Sequence, residues 1–215
     1  MISATVNIEF LNYWHAGTGK SSGQEVDAVT EKNASQLPFI AGRHLKGLLR
    51  DATRRAEHWG WFAEQTLPEG PAKSFEQLLF GSSNQVEKRS ETAAGMLIVD
   101  DATLPTPEAD FLASAKGKPL CNALYQNLYS TAINQNGTAK NASLRGIEVC
   151  VPVILRAPIT VVATALDKEL RQQQEQFMQQ HKNWSWLEAI LPLLDSLGAS
   201  RTRGLGEAQL TVTQG

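Results

Sequence analysis

Four stretches of the 215-residue chain carry side chains whose type and spacing could do chemistry. The first runs from Arg43 to Arg55. Arg43, Lys46, Arg50, Arg54 and Arg55 stand there against one acid, Asp51, a local +4. At 100° per residue, Arg43, Lys46, Arg50 and Arg54 share a sector of roughly 80°. Cations in one file suit phosphate, and arginine adds bidentate geometry. The same pattern also describes an ordinary solvated helix face. The second stretch is Gly198-Ala199-Ser200-Arg201-Thr202-Arg203-Gly204-Leu205-Gly206. Its glycines let backbone N–H groups approach an anion, while Arg201 and Arg203 supply charge. It lacks the Gly-Lys-Ser/Thr ending of a P-loop, and it precedes a strand where phosphate loops open a helix. Its plainer reading is a helix-to-strand turn with Gly198 as the C-cap. The third is Trp14-His15-Ala16-Gly17-Thr18-Gly19, whose histidine could serve as a general base near neutral pH. No second base or orienting group adjoins it. The fourth is Asp27, a lone loop carboxylate that composition and spacing give no reason to select. No His, Cys or carboxylate spacing suggests zinc, and no nucleophile elbow is present.

Composition limits the partners these residues can have. Hydrophobic residues make up 42% and charged residues 20%, which excludes disorder as the main state. The net charge is −2 with a pI near 6.1, whereas a wholly basic nucleic-acid binder has a pI above about 9. Any RNA contact must therefore come from local patches such as 43–55. No apolar run approaches the ~20 residues of a membrane span, and MISATVNIEF alternates instead of forming a leader. Two cysteines, Cys121 and Cys150, are too few for a disulfide scaffold. Asn-x-Ser/Thr sequons begin at Asn33, Asn136, Asn141 and Asn183, without meaning for glycosylation in a chain that is not exported. The expectation is one reduced, cytoplasmic domain without membrane contact.

The elements that must position these residues follow from hydrophobic period. Ile2, Ala4, Val6, Ile8 and Phe10 alternate with Ser3, Thr5, Asn7 and Glu9, as in a half-buried strand. A loop rich in Gly and Ser follows to about Pro38. From Arg43 to about His58 the pattern is a helix burying Leu45, Leu48, Leu49, Ala52 and Ala56 opposite the cationic file. Phe75–Phe80 reads as a short helix ending at Gly81, and 95–99 as a strand. Residues 104–146, punctuated by Pro105, Pro107, Pro119 and Gly137, read as an irregular functional excursion. Ile147–Val162 reads as one bent strand or a strand pair broken around Arg156-Ala157-Pro158. Helices are expected over 167–180 and 184–197, and a last strand over 207–212. The order is βαββαβ, an α+β ferredoxin-like pattern whose helices cover one sheet face. The other face is the one RNA-recognition modules use.

Three segments together resemble the RAMP superfamily, the repeat-associated RNA-binding subunits of CRISPR effector complexes. Leu37-Pro38-Phe39-Ile40-Ala41-Gly42-Arg43-His44-Leu45-Lys46-Gly47-Leu48-Leu49-Arg50 is similar to that family's LPYIPGSSLKGxLR signature. Gly198–Gly206 is similar to its GxxRSRGLG loop. The segment 132–145 is similar to the thumb sequence IDRxTGTAKxGSLR. Ala41 replaces the signature's proline, and Arg43-His44 replaces its Ser-Ser pair.

The resemblance implies a single RAMP domain over 1–215. It has an RNA-recognition-type palm (1–11, 39–100, 147–215), a flexible catalytic-loop candidate (12–38) and an inserted thumb (101–146). It further implies that Arg43, His44, Lys46, Arg50, Arg54, Arg201, Arg203 and Gly204 grip guide phosphates, and that Lys140 and Arg145 act from the thumb. Asp27, eleven positions before Pro38, aligns with the loop aspartate that cleaves target RNA in type III backbone subunits, with Mg²⁺ as the cofactor if catalysis occurs. The expected partners are a CRISPR guide RNA, a target RNA and other RAMP subunits. Three alternatives stay open: a standalone guide-processing endoribonuclease using His15, a non-catalytic structural or end subunit, and an assembly module with no RNA site.

Overall fold

The computed structural model describes residues 1–17, 26–63, 65–82 and 94–214. Strand β1 (Ile2–Phe10) is followed by α1 (Gly42–His58), α2 (Phe75–Phe80) and β2 (Leu97–Val99). Next come α3 (Thr106–Ala113), β3 (Tyr125–Ser130), β4 (Arg145–Cys150) and β5 (Ile154–Val161), then α4 (Lys168–Gln180), α5 (Ser185–Ile190) and β6 (Ala208–Gln214). Four strands make one sheet in the order β2-β5-β1-β6, with every neighbouring pair antiparallel. β3 and β4 pair with each other in a separate antiparallel hairpin.

Alternation builds the sheet's inner face. Ala4, Val6, Ile8 and Phe10 of β1 are buried, as are Leu155, Ala157, Ile159 and Val161 of β5. The registers Val6↔Ala157 and Ile8↔Leu155 on one side, and Val6↔Val212 and Ile8↔Leu210 on the other, align these side chains in rows. Leu45, Leu49, Ala52 and Ala56 of α1, Phe177 of α4 and Trp186 and Ile190 of α5 join them in one core. At roughly 25 cal/mol per Å² of apolar area removed from water, such rows supply the main drive to fold. The outer face carries Ser3, Thr5, Asn7, Glu9, Arg156, Pro158, Thr160, Gln209, Thr211 and Thr213. None of these is aromatic, so this face lacks the stacking residues of base-reading sheets.

Proline explains where the structure departs from the sequence expectation. Residues 106–130 are regular, whereas 131–144 form the loop of the hairpin without an element of their own. Pro107 lies in the first turn of α3, and Pro119 in the first turn of a 3₁₀ helix over Lys118–Leu124. A missing N–H costs nothing at those positions, so these prolines start helices. The long strand breaks at Pro152, between β4 and β5, while Pro158 sits inside β5. The Pro158 carbonyl accepts from Asp100 N–H at 3.0 Å, on the side where β2 has already ended. Its absent N–H faces the chain just past the end of β2, a sheet-edge position of the kind where proline is tolerated. The expected helix over 184–197 stops at Ile190, and Pro192 falls in the 3₁₀ turn Leu191–Leu193. Of the loop 12–38, residues 18–25, including Thr18, Gly19 and Gly23, lie outside the described residues.

Two glutamines of α4 anchor loops to the core. Gln173 accepts from Ala72 N–H at 2.9 Å and donates to the carbonyls of Pro68 and Ala72 at 2.7 and 2.8 Å. Gln174 accepts from the N–H groups of Thr164 and Ala165 and donates to Ala94 O. Cys121 and Cys150 are buried and free, and burial pushes the Cys150 thiol up to about 12. Among the described residues no helix is long and apolar enough to cross a membrane.

Candidate nucleic-acid interface

Three segments distant in sequence meet at the N-terminus of α1. The glycine-rich loop is laced to the turn after β1. Ala199 N–H donates to His15 O and Gly206 N–H to Tyr13 O, both at 2.8 Å. Gly198 takes φ +94°, and a Cβ there would lie 2.5 Å from His15 O. Gly206 takes φ +79°, and a Cβ there would strike Leu197 O. Both positions need glycine for backbone angle and for space. Between the segments lies a cavity of about 300 Å³. Ala16 and Gly17 line it from the turn, Ala41, Arg43 and His44 from α1, and Gly198 and Ala199 from the loop, with Glu31 and Ile40 closing it.

The first turn of α1 lines this cavity. Ala41 supplies no side-chain cap and the turn holds no acid. Gly42 N–H is satisfied by Asp101 Oδ1 at 2.7 Å, and His44 N–H bonds back to Ala41 O. The Asp101 carboxylate thus already caps the positive end of the helix dipole, and exposed Arg43 is the cation this turn adds to the cavity lining. Burial holds His44 below its ordinary pKa. The Arg201 cation adds to that shift and the Glu31 carboxylate opposes it. Arg201 therefore acts electrostatically on the α1 end of the cavity, which the sequence separation of 157 residues does not suggest. Arg201 and Arg203 are exposed in a 3₁₀ turn. Gly204 follows at φ +79°, its carbonyl accepting from Asn12 Nδ2 at 3.2 Å.

The structure separates the cationic file into two roles. Arg43 alone of the four faces the cavity. Lys46 Nζ donates to Leu97 O at 2.7 Å, and burial, then Arg50, holds its pKa down. Arg50 pairs with Glu76 at 2.7 Å and donates to Gly81 O at 3.0 Å. These three bonds tie α1 to β2, to α2 and to the glycine that ends α2. Arg54 pairs with Asp51 at 2.6 Å, and Arg55 reaches the same carboxylate at 3.0 Å. The acids that meet the file belong to this chain.

Asp27 stands at the foot of the β3–β4 hairpin. Its N–H donates to Gly146 O and its Oδ2 accepts from Gly146 N–H, both at 2.8 Å. The next residues run along β4, and Glu148 gathers them. Its carboxylate accepts from Thr30 N–H at 3.1 Å and Lys32 Nζ at 2.9 Å, and its carbonyl accepts from Thr30 Oγ1 at 2.9 Å. Lys32 also lies 3.9 Å over the Tyr125 ring of β3. His15 is 3% exposed, and its Nδ1 sits 2.7 Å from the Glu148 carbonyl. That contact requires Nδ1–H, so the buried imidazole serves as a strut. Glu31, Lys32 and Glu148 are the residues that sequence reasoning missed. Each is an isolated polar residue, and only folding brings them together. Lys140 and Arg145 lie on the hairpin, apart from the cavity lining. Its tip is an Asn134 turn with exposed Ile133 and Leu144, 70% and 68% accessible. Among the described residues no group of three or more His, Cys, Asp or Glu could hold a metal ion.

No curated relative matches the sequence. Among solved structures, a chain of the type III-B Cmr-β complex bound to cognate target RNA superposes with a TM-score of 0.66 at 11% identity, covering 99% of this chain and 97% of that one. A chain of the apo Cmr-β complex gives 0.64 at 11% identity, with the same coverage. At that identity the likeness is one of fold. The RAMP superfamily model matches residues 7–209, which include the α1 signature, the hairpin and the glycine loop. The chain belongs to the RAMP superfamily.

Proposed function

We propose that the chain is a guide-RNA-binding backbone subunit of a type III-like CRISPR effector, in which the cavity at the α1 N-terminus receives guide phosphate. The convergence of α1, the glycine loop and Arg43 on that cavity carries the reading. The strand order β2-β5-β1-β6 supports a ferredoxin-like palm, and the separate β3–β4 hairpin supports a thumb. Arg43, His44, Arg201, Arg203 and Gly204 make the phosphate site. Lys46 and Arg50 act at one remove, by holding α1 in place, and Arg54 pairs within the helix with Asp51. On the hairpin, Lys140 and Arg145 meet RNA backbone while Ile133 and Leu144 offer an apolar wedge between guide and target. Other RAMP subunits extend the filament. The purified chain should carry RNA, and sequencing that RNA tests the reading: repeat-derived guides are expected, and a preparation free of nucleic acid contradicts it.

Target cleavage at Asp27 is the finer part of the proposal. The target's 2′-oxygen attacks the adjacent phosphorus and the bond to the 5′-oxygen breaks. The 2′-hydroxyl proton passes to the carboxylate, and the leaving oxygen takes a proton from water. The products are a 2′,3′-cyclic phosphate and a 5′-hydroxyl. Positioning supplies most of the rate, with the hairpin bending the strand into line. One carboxylate beside RNA phosphates fits Mg²⁺, which is commonly held by one or two carboxylates plus substrate, and the ion would supply charge stabilisation. A second reading, a subunit that only holds the guide, is favoured by the Gly146 N–H bond that occupies Asp27 Oδ2.

A further inference from the structure

We propose that Glu31 is a specificity residue of the phosphate cavity, its carboxylate accepting a hydrogen bond from a ribose 2′-hydroxyl and so choosing RNA over DNA. The inference rests on the guide-binding reading above and names what that site selects. Among the described residues, Glu31 is the one acid in the cavity lining. Arg43 and His44 are its polar companions there, and the rest of the lining carries no polar side chain.

The fold turns Glu31 toward the cavity by alternation. Residues 28–32 run extended: Ala28 bridges Ile147 of β4, Thr30 bridges Gly17 and Lys32 bridges Pro38. Successive side chains of an extended segment face opposite sides. Thr30 Oγ1 donates to the Glu148 carbonyl and Lys32 Nζ to the Glu148 carboxylate, so both side chains turn toward β4. Glu31, between them, faces the other way. Its N–H donates to Ala16 O at 2.7 Å, which fixes the backbone beneath the carboxylate. Its charge acts on His44, as does the opposite charge of Arg201, so the acid and the cation meet at the α1 end of the cavity.

The acid is not neutralised by a neighbour. Lys32 is held by Glu148 at 2.9 Å and lies over the Tyr125 ring. Among the described residues no cation forms an ion pair with Glu31. An unpaired carboxylate beside a bound phosphate weakens binding by like-charge repulsion, unless the ligand brings a donor. RNA brings one. Its 2′-hydroxyl sits on the sugar carbon next to the one whose oxygen carries the phosphate. Arg43 and Glu31, on different segments of the lining, suit the two groups of one sugar-phosphate unit, and about 300 Å³ admits a unit of that size. Every ribonucleotide carries this hydroxyl, whereas a donating base edge varies with sequence. DNA sets a methylene there and leaves the carboxylate unpaired.

Fluorescence anisotropy of the full chain with uridylate, deoxyuridylate and 2′-fluorouridylate oligomers of equal length, in EDTA, tests the assignment. The 2′-fluoro sugar keeps the RNA pucker but cannot donate. The unsubstituted chain should bind the ribo-oligomer about ten-fold or more tightly than either of the others. In Glu31→Ala the three affinities should converge, with the deoxy- and fluoro-oligomers gaining as the repulsion is removed. Equal affinity of the unsubstituted chain for the ribo- and fluoro-oligomers would overturn the assignment without recourse to a variant. A ribo-oligomer preference that survives in Glu31→Ala would overturn it too, by placing the hydroxyl contact elsewhere. In either case, loss of RNA binding by Arg43→Ala/Arg201→Ala leaves the guide site standing. No RNA binding by the unsubstituted chain would overturn both readings.

Discussion

At the residue scale, His44 shows how the site is tuned. Burial and the Arg201 charge hold its pKa below the ordinary value in the free chain. A phosphate in the cavity would oppose that shift and raise the pKa. Binding then takes up a proton, so affinity should rise as pH falls through the pKa of the complex. Affinity measured from pH 8 to pH 5.5 should show this slope, and His44→Gln should flatten it. In the free chain the sign is reversed. A histidine with a lowered folded-state pKa contributes stability above its ordinary value and loses it as pH falls below that value. Asp27 supplies a second test. Asp27→Asn keeps an oxygen for Gly146 N–H and removes the charge, so it should abolish target cleavage in the assembled complex while guide binding persists. Full cleavage by that variant assigns the chain to the guide-holding reading. Asp27 reached notice only through resemblance to known sequences. Its tie to Gly146 spans 119 residues, and no local pattern records such a contact.

At the element scale, the periodic pieces were legible. β1, α1, α2, α4 and β6 follow from alternation, helical spacing and caps, such as Asp167 receiving Leu170 N–H at the start of α4. The segment 104–146 was not, because Pro107 and Pro119 read as breakers when each begins a helix. β3 hid for another reason. It exposes residues on both faces, so it lacks a half-buried alternation. The buried glutamines were equally hidden in a run that reads as a solvated helix. Gln173 is 1% exposed with three backbone partners, so Gln173→Leu strands them at about 1–3 kcal/mol for each left unpaired. A lower urea midpoint with an unchanged slope is the expected result. Gly206→Ala should destabilise by collision with Leu197 O and should also loosen the glycine loop. Thermal denaturation and RNA affinity should fall together in that variant.

At the scale of the whole molecule, a chain of net charge −2 brings Arg43 and the arginines of the glycine loop to one end of α1, the place proposed to take phosphate. On the proposed reading, the polar outer sheet face supplies no stacking and RNA contact falls to α1, the glycine loop and the hairpin. Sequence reading assembled those segments by order, but it could not separate Arg43, which faces the cavity, from Lys46 and Arg50, which brace the helix. That distinction gives the most direct measurement: the salt dependence of guide-RNA affinity for the full chain. Each lost phosphate contact should flatten the slope of log affinity against log salt by about 0.7 for single-stranded RNA. An Arg43→Ala/Arg201→Ala variant should lose about two such steps. A Lys46→Ala/Arg50→Ala variant should lower thermal stability while leaving the slope nearly intact. An unchanged slope in the Arg43/Arg201 variant would contradict a phosphate site at this cavity.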